Sequence, residues 1–301
     1  MGYTLTSAIR AFGYPKVEMV MTSLSVLVNI VFNAIFVFGL DMGFKGLAYG
    51  TLVSEVFCFV FSWIWLYRHN LLPKGIEVSI RGFALCSLEL AKLGFAQTVI
   101  QALGGCSGFF VNNSLMINAG DSYVAIWNVV RNIYTLLLMP TVGITQGVQT
   151  MIAYYGGQGK EKEKRKSIKS TMAVTVCYGL VAFLCIFLFS NWFLSFFVSS
   201  SVFLDVASVV LRIVFVTFPL MGIFYTIMTL MEVTGHEMQS VFMILTRQVF
   251  LMVPLVYLLP KLLRGNQYAV FLSVPIADCL ALILSFVILA ISRKHKYQST
   301  N

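Results

Sequence analysis

Charge is what this 301-residue chain has least of. Only 11% of its residues are Asp, Glu, Lys or Arg, against roughly a quarter in an ordinary soluble domain, so a water-soluble globule is excluded. Its six cysteines, Cys58, Cys86, Cys106, Cys177, Cys185 and Cys279, come without CxxC or Cys/His spacing, and most fall inside apolar runs. They read as small hydrophobes. The three histidines, His69, His236 and His295, stand beside loop charges, so metal binding has no support. No glycine cluster leads into a P-loop pattern, and no intramembrane nucleophile or His/Asp constellation is visible. The chain is not read as an enzyme and calls for no cofactor.

What is present is hydrophobic length. Apolar residues make up 58% of the chain and mean hydropathy is +0.86, spread along the whole sequence, which neither a single anchor nor a signal peptide explains. Runs long enough to span a bilayer, about 20 residues each, occur at 17–40, 47–67, 88–116, 124–153, 170–197, 203–230, 239–262 and 269–292. The expected fold class is an all-α polytopic membrane protein of about eight transmembrane helices. Phenylalanines and the four tryptophans suit lipid-facing and interfacial surfaces. The formal charge of +9 comes mostly from loop lysines and arginines, which points to anionic lipid headgroups and away from nucleic acid.

The most informative stretch is 141–169. Pro140 precedes it inside an apolar run and predicts a deformed helix whose freed backbone groups are satisfied by neighbours. Three glycines then break the helix before a loop carrying Lys160, Lys162, Lys164, Arg165, Lys166 and Lys169, which the positive-inside rule sets on the cytoplasmic side. Alternate loops hold Arg10 and Lys16, then Arg68, Lys74, Arg81 and Lys92, and finally Arg293, Lys294 and Lys296, whereas the opposite loops hold only Lys45, Lys261 and Arg264. Both termini are therefore expected in the cytoplasm.

An internal repeat is visible at an offset of 222 residues, which carries Gly13 onto Gly235 and Gly43 onto Gly265. The first two spans thus resemble the last two in the same orientation, as in transporters built from parallel repeats. Four spans precede the repeated pair in the second unit and only residues 1–12 in the first. Equal halves would place roughly 140 further residues upstream. The expected division is 1–82, the end of a first lobe with the inter-lobe loop, and 83–301, a complete six-helix second lobe.

Residues 7–51, the stretch PTVGITQGVQTMIAYYGGQGKEKEKR at 140–165, and SVPIADCLALILSF at 273–286 resemble the multidrug and toxic compound extrusion (MATE) family. Arg10, Gly13, Pro15, Asn29, Asn33, Gly43, Gly46 and Ala48 match its fifth and sixth helices, and Gly143, Gln146, Gly147, Gln149, Tyr155 and Gly156 the end of its eighth. Among its branches the chain is more similar to bacterial DinF-like members. The resemblance implies a V-shaped, alternating-access antiporter of two six-helix lobes in a bacterial cytoplasmic membrane. Such a protein exports amphipathic or cationic small molecules against sodium or proton flow and needs no obligate protein partner. The match departs in having no counterpart of the family's first four helices, the first of which carries a coupling aspartate in DinF-like members. Glu89, near the cytoplasmic start of its helix, does not stand where other branches have a mid-membrane glutamate.

Charged side chains inside a span invite explanation. With one inserted residue the repeat superposes Glu55 on Asp278, and two readings stand: both face a central cleft and attract a cation, or each pairs locally. Asn33, Gln97, Gln101, Asn112, Asn113, Asn128, Arg131, Gln146 and Gln149 are further cleft candidates. Their amides suit either a polyspecific pocket or helix-to-helix bonding. Asn29 and Asn33, four apart, share a helix face. Arg131, poorly suited to a cationic drug, pairs with a carboxylate or helix carbonyls in this reading, and with Arg212 and Arg247 it keeps open a lipid-linked oligosaccharide flippase. A third alternative is a remnant that transports nothing.

Overall fold

The computed structural model describes residues 2–71, 80–195, 201–263 and 266–298, and these are almost entirely helical. The chain divides into two compact units, Met1–Ala84 and Leu85–Asn301. Among the described residues six helices are long and apolar enough to cross a membrane, and the bent pair Phe203–Phe215 and Phe218–Val233 makes a seventh. The span expected at 88–116 falls on a helix many of whose side chains lie outside the described residues. The protein is an all-α polytopic membrane protein.

The first unit contains α1 (Gly2–Ala11), α2 (Pro15–Ala34), which continues through a π-helical turn (Ile35–Gly39), and α3 (Gly43–Arg68). α1 stops because Gly13 takes φ 90, a conformation that favours glycine. Its N–H donates to the Arg10 carbonyl at 3.0 Å and the Tyr14 N–H to the Ile9 carbonyl at 3.2 Å, the paired bonds of a Schellman cap. Pro15 then opens α2, where a missing N–H does no harm.

Small residues hold α2 against α3. Gly46, Gly50, Ser54, Cys58 and Ser62 recur every four residues as the buried stripe of α3, and such stripes let helix backbones approach closely in membranes. A Cβ at Gly50 would strike Asn33 Oδ1 and lie 2.9 Å from the Asn33 backbone nitrogen. Polar bonds reinforce the contact: Ser25 Oγ donates to the Ser54 carbonyl at 3.0 Å, Asn29 Nδ2 to Ser54 Oγ at 3.2 Å, and Asn33 Nδ2 to Asn29 Oδ1 at 2.9 Å. The outer faces carry Val26, Ile30, Phe38 and Phe44 to the surface, as lipid-facing helices do.

The second unit is entered along α4 (Ile80–Asn118) and continues with α5 (Asp121–Gly157), α6 (Glu161–Ser195), α7 (Ser201–Phe215), α8 (Phe218–Val233), α9 (Glu237–Leu245), a π-helical turn (Thr246–Leu251), α10 (Met252–Leu262) and α11 (Ala269–Gln298). Its core joins Val130 and Ile133 of α5, Ile186 and Leu194 of α6, Leu211 and Phe215 of α7, and Phe271 of α11. α6 and α8 cross closely through reciprocal glycines: a Cβ at Gly179 would meet Pro219 Cα at 2.7 Å, and one at Gly222 would meet Thr175 Cβ at 2.8 Å. α8 ends as α1 does. Gly235 takes φ 78, its N–H reaches the Glu232 carbonyl at 3.4 Å, and the His236 N–H reaches the Met231 carbonyl at 2.9 Å, each partner displaced by the offset seen in the sequence.

α5 is continuous from Asp121 to Gly157 with Pro140 inside it. The Leu136 carbonyl loses its i+4 donor, and beside it the Tyr178 hydroxyl donates to the Leu137 carbonyl at 2.8 Å. One local expectation needs correction: most of the basic stretch at 160–169 is not a loop. Gly159, at φ 68, makes the turn, and Lys162, Lys164, Arg165, Lys166 and Lys169 lie on the first turns of α6, where Glu161 and Glu163 favour the positive helix N-terminus.

Candidate functional site

Two polar features interrupt the apolar interior of the second unit, one closed and one open. The closed feature gathers where three helices are irregular: the break between α7 and α8 ahead of Pro219, the π-helical turn after α9, and α11 beside Pro275. There the Asp278 carboxylate is 2% exposed. Arg247 Nε donates to Asp278 Oδ1 at 2.7 Å and the Thr217 hydroxyl donates to Oδ2 at 3.0 Å. The guanidinium also stands 5.7 Å from the centre of the Phe224 ring, and its Nη2 lies 3.5 Å from the Tyr134 hydroxyl. A buried carboxylate would pay a large desolvation penalty alone, and this one is compensated on both oxygens.

The open feature is a groove of about 480 Å³ lined by Gly104 of α4 and by Arg131, Asn132, Thr135, Leu136 and Met139 of α5. The 3.6-residue period sets Asn128, Asn132, Thr135 and Met139 along one side of α5, with Arg131 adjoining. An arginine at mid-span costs about 2.5–3.5 kcal/mol on insertion scales, so an exposed one belongs on a water-accessible cavity. A Cβ at Gly108 would sit 2.6 Å from Arg131 Nη1, so the guanidinium lies against α4 and a side chain there would push its flexible end aside. The Gln248 amide faces Gly104, 3.9 Å from where its Cβ would be, and Gln248 Oε1 and Asn112 Oδ1 are buried acceptors with no hydrogen-bond partner among the described residues. The groove itself presents a cation, the Asn132 amide and an apolar wall together.

The other residues singled out from the sequence fall in several environments. Asn33 is part of the α2–α3 ladder, with Oδ1 turned to Gly50. Glu55 is exposed on α3, unlike its repeat partner Asp278, which is buried. Asn113 Nδ2 donates to the Tyr257 hydroxyl at 3.1 Å, and next to it Ser114 Oγ donates to the Val256 carbonyl at 2.8 Å, so this end of α4 is tied to α10. Gln146 is exposed and Gln149 half-buried on α5; at 1.5 Å per residue Gln146 lies about 22 Å along the helix from Arg131. The side chains of Gln97 and Gln101 lie outside the described residues.

Arg131 has no carboxylate within ion-pair reach among the described residues. Arg247 and Arg212 are engaged, the latter donating to Ser190 Oγ at 3.0 and 3.2 Å. Sequence reading missed Tyr134, Thr217, Asn132, Thr135 and Gln248. Hydroxyls and amides within an apolar run carry no charge signal, and only their position in space marks them.

The MatE family model matches residues 99–258, more than half of the chain. The multidrug export protein MepA of Staphylococcus aureus is 22% identical over 291 residues, covering 95% of this chain and 63% of its own length. MepA of Staphylococcus saprophyticus is 22% identical over 288 residues, with the same coverage. Among solved structures, a multidrug resistance MATE family transporter of the MOP superfamily in an outward-facing conformation superposes with a TM-score of 0.87 at 19% identity, over 97% of this chain and 66% of its own. A MOP superfamily transporter from Pyrococcus furiosus, described as having a binding pocket of reversed polarity that suggests a different function, gives 0.85 at 20% identity, over 95% of this chain and 64% of its own. The chain spans 63% of the length of the MepA relatives, and the structural likenesses establish the fold.

Proposed function

The chain belongs to the MatE family of multidrug efflux transporters, and from that premise we propose that it takes part in exporting small amphipathic or cationic compounds, coupled to sodium or proton entry, across a bacterial cytoplasmic membrane. Residues 1–82 contribute the end of a first lobe, 83–301 form the second, both termini face the cytoplasm, and no obligate protein partner is needed. The observation that carries this reading is the open groove on α5, inside the stretch that the family model matches. An apolar wall with the Arg131 guanidinium and the Asn132 amide beside it favours varied ligands over one tightly specified substrate. Asn128, Gln146 and Gln149 on the same helix are proposed to extend that lining, and Glu55 to act from the first unit.

The test is accumulation of ethidium in a bacterial host stripped of its own efflux pumps. Cells expressing the chain should hold less dye than cells carrying empty vector, and the difference should vanish when the driving gradient is collapsed. A protonophore and a sodium ionophore applied separately identify the coupling ion. Equal accumulation across a panel of cationic, zwitterionic and anionic dyes, with the protein confirmed in the membrane, would overturn export by this chain.

A further inference from the structure

We infer that the Arg131 groove is a subsite for an oxyanion, the carboxylate, phosphate or sulfonate of an amphipathic small molecule whose apolar body lies along Leu136 and Met139. This deepens the export reading and rests on it. Three membrane arginines were open to such a role, and the structure separates them. Arg247 is held by Asp278 at 2.7 Å, and Arg212 by Ser190 and the Phe187 ring, 5.3 Å from its centre. Arg131 alone among them opens onto a cavity, and among the described residues none of the groove's lining groups is a carboxylate. A ligand's cationic group would meet a like charge at Arg131, so an amphipathic compound with an anionic end suits this groove.

The surroundings fit an anion on several counts. A guanidinium presents a planar fork of donors that matches an oxyanion's paired oxygens. Asn132 adds an amide donor beside it, while the Thr135 hydroxyl proton is spent on the Arg131 backbone carbonyl at 2.8 Å, leaving acceptor capacity for a protonated or hydroxylated neighbour. Gly108 holds space for the guanidinium, since any side chain would strike Nη1. The groove runs along a membrane span, and its low-dielectric protein wall focuses the field of Arg131 on a counter-ion. Leu136 and Met139, both exposed, supply apolar surface less than three turns away on the same helix.

Two dyes with one fluorophore and opposite charge test this: dansylglycine, a carboxylate, and dansylcadaverine, an ammonium. Binding to the full chain in phosphatidylcholine nanodiscs would be measured by fluorescence for the wild type and for Arg131→Gln, Arg131→Lys and Gly108→Ala. Arg131→Gln should weaken dansylglycine about tenfold or more and leave dansylcadaverine unchanged, which also shows that the variant is folded. Arg131→Lys should recover part of the loss, and Gly108→Ala should weaken dansylglycine by displacing the guanidinium. Repeating the titration with phosphatidylglycerol distinguishes two sources of the same chemistry: competition identifies a lipid headgroup as occupant, and indifference a free solute, both supporting the subsite. Dansylglycine binding unaffected by Arg131→Gln would overturn it. A wild type that binds dansylcadaverine alone overturns the subsite and leaves export standing; one that binds neither dye overturns both.

Discussion

At the scale of single residues, the consequential group is Asp278. Its carboxylate and the Arg247 guanidinium are worth little as a net gain in stability, because bringing both out of water offsets most of their attraction. Removing one partner is another matter. Asp278→Asn should lower stability by about 3–5 kcal/mol through the stranded Arg247 charge, whereas the double change Asp278→Asn with Arg247→Met should recover a large part of that loss. Melting of the purified variants in detergent checks the pair, and a single variant as stable as the wild type would contradict the burial described here. Gly235 makes a smaller case. Its φ of 78 predicts that Gly235→Ala destabilises by about 1 kcal/mol, seen as a modest fall in the same melting curves.

Between elements, close approach decides the packing. α2 and α3 meet over Gly46 and Gly50, and the clash of a Gly50 Cβ with Asn33 has two parts, a movable side-chain oxygen and an immovable backbone nitrogen. Gly50→Ala should therefore push the helices apart and lower thermal stability, and adding Asn33→Ala should restore only part of it. Complete restoration would mean that the amide alone was responsible. The four-residue spacing of glycine and serine in α3 became a packing stripe only with its buried face in view, and its partner was not legible at all. Which residue of α2 fills the notch depends on the register of two helices, and register is set by the whole contact. The reciprocal notches of α6 and α8, Gly179 on Pro219 and Gly222 on Thr175, are a second case of the same kind.

For the whole molecule the testable property is orientation. The charge bias predicts that the α5–α6 turn lies in the cytoplasm and the α10–α11 turn outside. In a cysteine-free background, Gln158→Cys should react with an impermeant maleimide only after the membrane is opened, and Asn266→Cys in intact cells. Both positions are exposed, so the reversed pattern would invert every span. The exposed phenylalanines and valines on both units belong to the same scale, being apolar surface that a bilayer accepts and water does not.

What the amino-acid sequence determined by itself was everything carried by hydropathy, loop charge and turn chemistry. The spans follow from apolar run length, because an unpaired backbone is intolerable in hydrocarbon. The matching helix ends at Gly13 and Gly235 follow from a conformation that favours glycine. The tertiary structure decided how the polar groups are used. Asp278 and Arg247 are 31 positions apart, and nothing in either neighbourhood announces that a π-helical turn and a proline break bring them together. Arg131 reads alike with Arg212 and Arg247 along the chain, yet in space one faces a groove while the other two are engaged. Hydrophobicity is a property of each residue and survives reading in one dimension; a charge's partner is a property of three.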